Sequence, residues 1–267
     1  MSGIICSNLM AGDAVFIVTG GGSGIGRALA LALTERGHSV LVIGRTEQSL
    51  QETAAASSLI TYLCADVATA AGLDKITEYC QSIKQITGLV NNAGTIEPMA
   101  ALNDIQRADW MQALNTNLNP ALFLTQGLYA KMQAGRVLNI SSGLAHFPSK
   151  SCASYCVTKA ALSMLTRCWQ LESDSVAFAS VMPGIIDTNM QAIARGDKNL
   201  DKQRAQFYKE LKDSNRLLST ATVAEFLTWL LLDVSKERYV AQEWDIYETA
   251  HHHEWLKPPH QVVHWDA

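Results

Sequence analysis

Tyr155 and Lys159 stand four residues apart in the segment Ser154-Tyr155-Cys156-Val157-Thr158-Lys159, and Ser142 lies thirteen residues before the tyrosine. The run from Ala153 to Leu171 reads as helix, so the phenol and the amine share one helical face. An ammonium there favours the phenolate, which predicts a Tyr155 pKa below the ordinary value of about 10. A phenol tuned in that way is a general acid for carbonyl chemistry near neutrality. The same spacing also suits a helix whose lysine is solvated and whose tyrosine packs inward, so the rest of the chain decides between the two.

The elements that must position this pair follow a simple rhythm. Ala14-Val15-Phe16-Ile17-Val18 is a short β-rich run ending in the turn Thr19-Gly20-Gly21-Gly22-Ser23-Gly24-Ile25-Gly26. An amphipathic stretch from Ile25 to Arg36, closed by Gly37, follows. The apolar runs Ser39 to Ile43, Leu59 to Leu63, Gly88 to Val90, Val137 to Ile140 and Val176 to Val181 repeat the pattern, with helices between them. Near-continuous apolar strands separated by helices predict a parallel sheet covered on both faces, a doubly wound α/β fold. Gly20, Gly24 and Gly26 have no Cβ to block a tight turn and close approach of backbone to a pyrophosphate, and the helix that begins there offers free N–H groups.

Composition narrows the function. With 267 residues, 48% of them hydrophobic, the chain is expected to form one domain over 1–267, with an N-terminal extension at 1–12 and a tail at 249–267. The polar stretch 191–219 breaks the rhythm and reads as a mobile substrate-side insertion over the active site. A net charge of -4 without a basic run gives no footprint for nucleic acid or an anionic membrane surface. No apolar stretch approaches the roughly 20 residues that span a bilayer. Met1 to Met10 lacks the pattern of a signal peptide, and Met10 is an alternative start. The six cysteines contain no Cys-x-x-Cys pair and read as buried or half-buried thiols in a reducing cytoplasm, with Cys152 and Cys156 alternatively lining a pocket around Tyr155.

With the glycine turn, Asn91-Asn92-Ala93-Gly94, the Ser142/Tyr155/Lys159 set and Pro183-Gly184 with Thr188 in this order, the chain resembles the short-chain dehydrogenase/reductase family over about residues 14 to 247. The resemblance implies that Tyr155 donates the proton, Ser142 hydrogen-bonds the substrate carbonyl, and Lys159 binds the nicotinamide ribose. Ser141 competes with Ser142 for that place. Asn117 matches the helix asparagine that supports a water chain to the lysine; Asn115 and Asn119 are its rivals, and Pro120 kinks the helix. Gly20, Ser23, Gly24, Ile25 and Gly26 would hold the pyrophosphate, and Asp66 would lie beside the adenine. Asn91, Ala93 and Gly94 would border the cofactor, and Pro183, Gly184, Ile186 and Thr188 the nicotinamide. No metal is needed for this chemistry.

Cofactor choice turns on Ile43-Gly44-Arg45-Thr46. A carboxylate at Gly44 would accept from the ribose hydroxyls of NAD; here none is present and Arg45 supplies a donor fork suited to phosphate, which predicts NADPH. Pro183 to Gln191 and the ending Trp244 to Glu248 are similar to the sepiapterin and benzil reductase branch of the family. That likeness implies an NADPH-dependent reductase of ketones or vicinal dicarbonyls and gives Asp245 the place of a substrate anchor, or otherwise of a capping carboxylate. An NAD(P)-dependent alcohol dehydrogenase running oxidatively and a non-catalytic NADPH-binding sensor are the alternatives. Homodimers or homotetramers are expected. Beyond Glu248, His251-His252-His253 would aim in different directions, which disfavours a metal site. Pro258-Pro259 predicts an extended tail, with Trp255 and Trp265 docking it on a neighbouring subunit or across the pocket mouth.

Overall fold

Apolar runs form the strands β1 (Ala14–Thr19), β2 (Ser39–Gly44), β3 (Ile60–Cys64), β4 (Gln85–Asn91), β5 (Arg136–Ile140) and β6 (Ala177–Met182) in this computed structural model. A short strand, β7 (Trp244–Asp245), adds itself at the edge. The structure describes residues 14–264 and 266. The expectations for the N-terminal extension, the start at Met10, Cys6 and Trp265 lie outside the described residues. All strands pair in parallel in one seven-stranded sheet of order β3-β2-β1-β4-β5-β6-β7. This is the expected doubly wound α/β fold, and the direction of winding reverses between β1 and β4. A crevice opens there at the carboxyl ends of the strands.

The connecting helices are α1 (Gly24–Glu35), α2 (Glu47–Ala54), α3 (Ala70–Cys80), α4 (Arg107–Asn117), α5 (Asn119–Leu128), α6 (Ala153–Glu172), α7 (Asn189–Gly196), α8 (Lys202–Asp213) and α9 (Thr220–Leu232). Two single turns, α10 (Lys236–Tyr239) and α11 (His252–Trp255), complete the set. Alternate residues of β1 point to opposite faces, as a pleated strand requires. Phe16 and Val18 join Leu29 and Leu33 of α1 and Phe226 and Leu230 of α9 on one face. Val15 and Ile17 join Ile76 of α3, Leu124 of α5 and Phe178 of β6 on the other. The two layers fix the height of every strand end, and so the positions of the loops that carry the chemistry.

Pro120 acts as expected. Leu118 leaves helical geometry at φ -123° and ψ -57°, and a new helix starts with Pro120 in its first turn. The 191–219 stretch is built as helices rather than open loop. α7 and α8 pack through Ala194, Leu200, Tyr208 and Leu211 against Ile96, Met99 and Cys152, forming a third apolar cluster beside Tyr155.

Two expectations need correction. Trp255 does not dock the tail on a neighbour: Thr249–His251 and α11 are helical turns, and Trp255 is 5% exposed within the chain's own core. Its ring lies 5.0 Å from Phe226, and its Nε1 donates to His251 Nδ1 at 2.9 Å. Four-residue spacing brings His251 and Trp255 onto one face, which binds the tail to α9 rather than to a neighbour. The imidazoles of His251 and His252 meet the carbonyls of Asp245 and Ile246. Cys168 departs from the buried-thiol expectation, being exposed on the outer face of α6, while Cys80 and Cys152 are buried.

Trp255→Ala would empty an aromatic site inside the core and should lower unfolding stability by about 3–5 kcal/mol, read from urea denaturation. A tail merely resting on the surface would leave the midpoint nearly unchanged.

Candidate active site

The turn between β1 and α1 is shaped by what cannot be there. Gly20 has φ +68°, and a Cβ on it would come within 2.8 Å of Asn92 Nδ2 and 3.1 Å of the Ala93 backbone. A Cβ on Gly26 would lie 2.4 Å from the Gly20 carbonyl oxygen. The cradle is therefore open only to glycine, and it leaves Ser23, exposed at the N-cap of α1, without a side-chain capping bond. Ile25 is half-buried and anchors the first helical turn on the core. Free N–H groups at the N-terminus of a twelve-residue helix form an anion site. Thr188, N-cap of α7, faces it; its Cγ2 would be 3.6 Å from a Cβ on Gly24.

The Asn-Asn turn after β4 locks this cradle to the sheet. Asn92 Nδ2 donates to the Thr19 carbonyl at 2.7 Å, and the N–H groups of Asn92 and Ala93 both donate to Thr19 Oγ1 at 3.0 Å. Asn92 and Thr19 are cradle residues that sequence reading missed; the doubled asparagine was the available signal. Asn91 points the other way, donating to Asn139 Oδ1 at 2.8 Å, and Asn139 donates to Thr166 Oγ1 at 2.8 Å. That buried chain ties β4 to β5 and to α6. A buried amide left unbonded would be costly, and this relay satisfies most of its groups.

At the end of β2, Arg45 is exposed, and among the described residues its guanidinium has no hydrogen bond or ion pair. Gly44 offers no carboxylate beside it. Asp66 follows β3 and accepts from the Ala68 N–H at 2.9 Å with one oxygen, a local turn. Beyond β6, Pro183 is buried, and Ile186 bridges to Leu218. Gly184 adopts φ +85°, and the Tyr247 hydroxyl accepts from the Ile185 N–H at 3.0 Å. Tyr247 is a clamp on this segment that sequence reading missed. Asp245 ends β7 beside Met182, and its Oδ1 accepts from the Tyr247 N–H at 3.0 Å, the capping alternative.

Lys159 is 4% exposed, and its Nζ donates to the Ile140 carbonyl at 2.6 Å. Its ammonium lies 5.6 Å from the centre of the Tyr155 ring. A Cβ on Gly94 would be 3.4 Å from Asn117 Oδ1 and 3.7 Å from Lys159 Nζ, so these three gather at one point. Asn117 is buried; its Oδ1 accepts from the Thr95 N–H at 2.7 Å and its Nδ2 donates to Thr158 Oγ1 at 3.0 Å. Its rivals bond to each other instead, Asn119 Nδ2 to Asn115 Oδ1 at 2.8 Å. Of the two serines it is Ser142 that acts on the Tyr155 phenol, drawing its pKa down, while its Oγ accepts from the Leu144 N–H at 3.2 Å. The Ser141 hydroxyl is buried without a hydrogen-bond partner among the described residues. Behind the serine loop, Glu243 Oε1 accepts from Ser163 and Ser180 at 2.7 and 2.9 Å while Oε2 meets His146 at 2.8 Å.

The electrostatics correct one expectation. The Tyr155 pKa is not lowered: burial pushes the phenol up to about 12, with the nearby Ser142 pulling only partly the other way. Burial also brings Lys159 down to about 8. Desolvation outweighs the ammonium because that ammonium is turned to the Ile140 carbonyl rather than to the phenolic oxygen. Tyr155 is therefore a neutral phenol, able to give a proton, packed against the third apolar cluster.

A sequence profile described as short chain dehydrogenase matches residues 14–199. The chain is 28% identical over 226 residues to a benzil reductase ((S)-benzoin forming) of Bacillus subtilis, covering 81% of this chain and 93% of the relative. It is 30% identical over 243 residues to sepiapterin reductase of Rattus norvegicus, covering 82% and 92%. Among solved structures, a Beutenbergia cavernae protein crystallised with bound NADP at low occupancy superposes with a TM-score of 0.74 at 27% identity, covering 87% of this chain and 93% of that one. The chain belongs to the short-chain dehydrogenase family and is an oxidoreductase of that family.

Lys159 gives a stability test. Its pKa falls from 10.5 unfolded to about 8 folded, so between those values the unfolded chain binds the extra proton and stability rises with pH. Below about pH 8 the full cost of burying the ammonium is present. Lys159→Met should therefore melt above the wild type at pH 7, with the gap closing as pH climbs from 8 to 10.5. A gap that widens would contradict the burial argument.

Proposed function

We propose that the protein is an NADPH-dependent carbonyl reductase acting on ketones or vicinal dicarbonyls. The observation that carries this reading is the Tyr155 phenol, with the buried Lys159 ammonium 5.6 Å from its ring centre and Ser142 drawing on its pKa, beside Asn117 and Gly94. The residues fit a dinucleotide: the cradle admits no Cβ, the α1 terminus is uncapped by a side chain, and Arg45, unpaired among the described residues, is a cation where a ribose phosphate would need one. Gly20, Ser23, Gly24, Ile25 and Gly26 would hold the pyrophosphate, and Arg45 the 2′-phosphate; Thr188, expected at the nicotinamide, faces Gly24 and would reach both. Asp66 would lie at the adenine, Asn91, Ala93 and Gly94 along the cleft, and Pro183, Gly184 and Ile186 at the nicotinamide. When bound, NADPH supplies the hydride.

The chain's own groups do the rest. Ser142 holds the carbonyl oxygen and favours the charge that develops on it. Tyr155 gives its proton to that oxygen; even a phenol raised to about 12 is a stronger acid than the alcohol formed. Lys159 opposes the negative charge left on the phenol, and Asn117 keeps α4 against α6 through Thr158. Asp245 would anchor a substrate's polar end. The names of the benzil and sepiapterin reductases, whose sequences align over most of this chain, support the substrate class.

The same reading takes the whole chain as one catalytic domain, active as a homodimer or homotetramer in the cytoplasm. Exposed Phe123, Met164 and Leu171 on α5 and α6 are apolar surface that assembly would cover. No helix among the described residues is long and apolar enough to cross a membrane. The described cysteines are all free, as a reducing compartment keeps them.

Purified protein should oxidise NADPH in the presence of benzil, and Tyr155→Phe should lose at least about a hundredfold in rate. Arg45→Ala should weaken NADPH binding by about tenfold with little change for NADH. A wild type that prefers NADH, or a Tyr155→Phe protein of undiminished rate, would refute these assignments separately.

A further inference from the structure

A vicinal dicarbonyl brings a second carbonyl oxygen into the pocket beside the one being reduced. That oxygen loses its hydration on entering an apolar site unless a donor meets it. The wall beside Tyr155 is largely apolar, built from Ile96, Met99, Leu200 and Leu211. Tyr208 of α8 belongs to the same cluster and is 7% exposed. Its hydroxyl makes no hydrogen bond among the described residues. It lies close enough to the Tyr155 phenol for the two to interact electrostatically.

Arg204, one helical turn earlier, stands with its guanidinium 5.6 Å from the centre of the Tyr208 ring. Its Nε donates to Ser149 Oγ at 3.3 Å, which joins α8 to the loop before α6. A cation over the ring draws electron density from it and makes the O–H a stronger donor. Burial raises the Tyr208 pKa while Arg204 opposes it, so the group is protonated and able to donate at neutral pH.

We propose that Tyr208 is a specificity-determining residue that donates a hydrogen bond to the second oxygen of a vicinal dicarbonyl while Tyr155 serves the first. This rests on the carbonyl-reductase reading above. One carbonyl then takes a hydride at carbon and a proton at oxygen, the nicotinamide cofactor being oxidised by two electrons. The carbonyl at Tyr208 keeps its double bond, and the product is an α-hydroxy ketone.

The test compares wild type and Tyr208→Phe on benzil and on deoxybenzoin, in which a methylene replaces one carbonyl. The ratio of kcat/KM for benzil to that for deoxybenzoin should fall about tenfold in the variant, the weight of one hydrogen bond. The Kd of benzil in the NADP+ complex, read by tryptophan fluorescence quenching, should weaken in parallel. Since the hydroxyl has no hydrogen-bond partner among the described residues, Tm should stay where it is. An unchanged ratio overturns the proposal, and so does a Tm drop of several degrees, which would mean that the hydroxyl is bonded within the fold. A wild type that reduces neither ketone would instead fell the carbonyl-reductase reading and this inference with it, an outcome visible in the wild-type arm alone.

Discussion

A cation buried without a carboxylate is the constraint around which this structure is arranged. Among the described residues the Lys159 ammonium donates to the Ile140 carbonyl at the end of β5, and it is held next to a phenol rather than a counter-ion. Such a group destabilises the fold, and the surroundings hold it in place: α6 is long, its inner face is buried, and the Asn91–Asn139–Thr166 relay fixes it to two strands. Removing the strain by mutation would stabilise the fold and spoil the site, a trade common at functional centres.

The parallel sheet makes that arrangement possible. Because all strands end on the same side, the turn after β1, the Asn-Asn turn after β4, the serines after β5 and the Pro-Gly segment after β6 converge on one crevice. Each is held by a neighbour in space rather than in sequence. Asn92 secures the cradle, Glu243 braces the serine loop through His146 while binding α6 and β6, and Tyr247 clamps the segment after Gly184. The α7 and α8 segment rests on Tyr155 through apolar contacts rather than through hydrogen bonds to these loops' holding residues.

Much of this was legible in the chain because it depends on local rules. Apolar runs of strand length, a glycine turn and helical spacing of Tyr155 and Lys159 report sheet, cradle and shared face directly. The sign of the Tyr155 shift was not legible, since spacing says that a cation is near but not where its Nζ points or how deeply the phenol is covered. β7 was invisible for a related reason: two residues carry no periodicity, and only pairing with Val181 and Met182 makes them a strand. Tyr208 lay unmarked in a polar helix whose buried side is set by contacts with Ile96 and Met99, distant in sequence. In the tail, Pro258-Pro259 masked the His251–Trp255 spacing, which is the helical signal that the core contact uses.

The central claim is that burial keeps Tyr155 a neutral proton donor. Its most direct test is the ionisation of that one phenol, obtained as the ultraviolet difference titration between wild type and Tyr155→Phe in the absence of cofactor. The account predicts that no phenolate signal belonging to Tyr155 develops up to pH 10, the ordinary tyrosine value, because its own lies near 12. A Tyr155 signal that ionises near neutrality would show that the ammonium, not burial, governs the phenol, and would contradict the account.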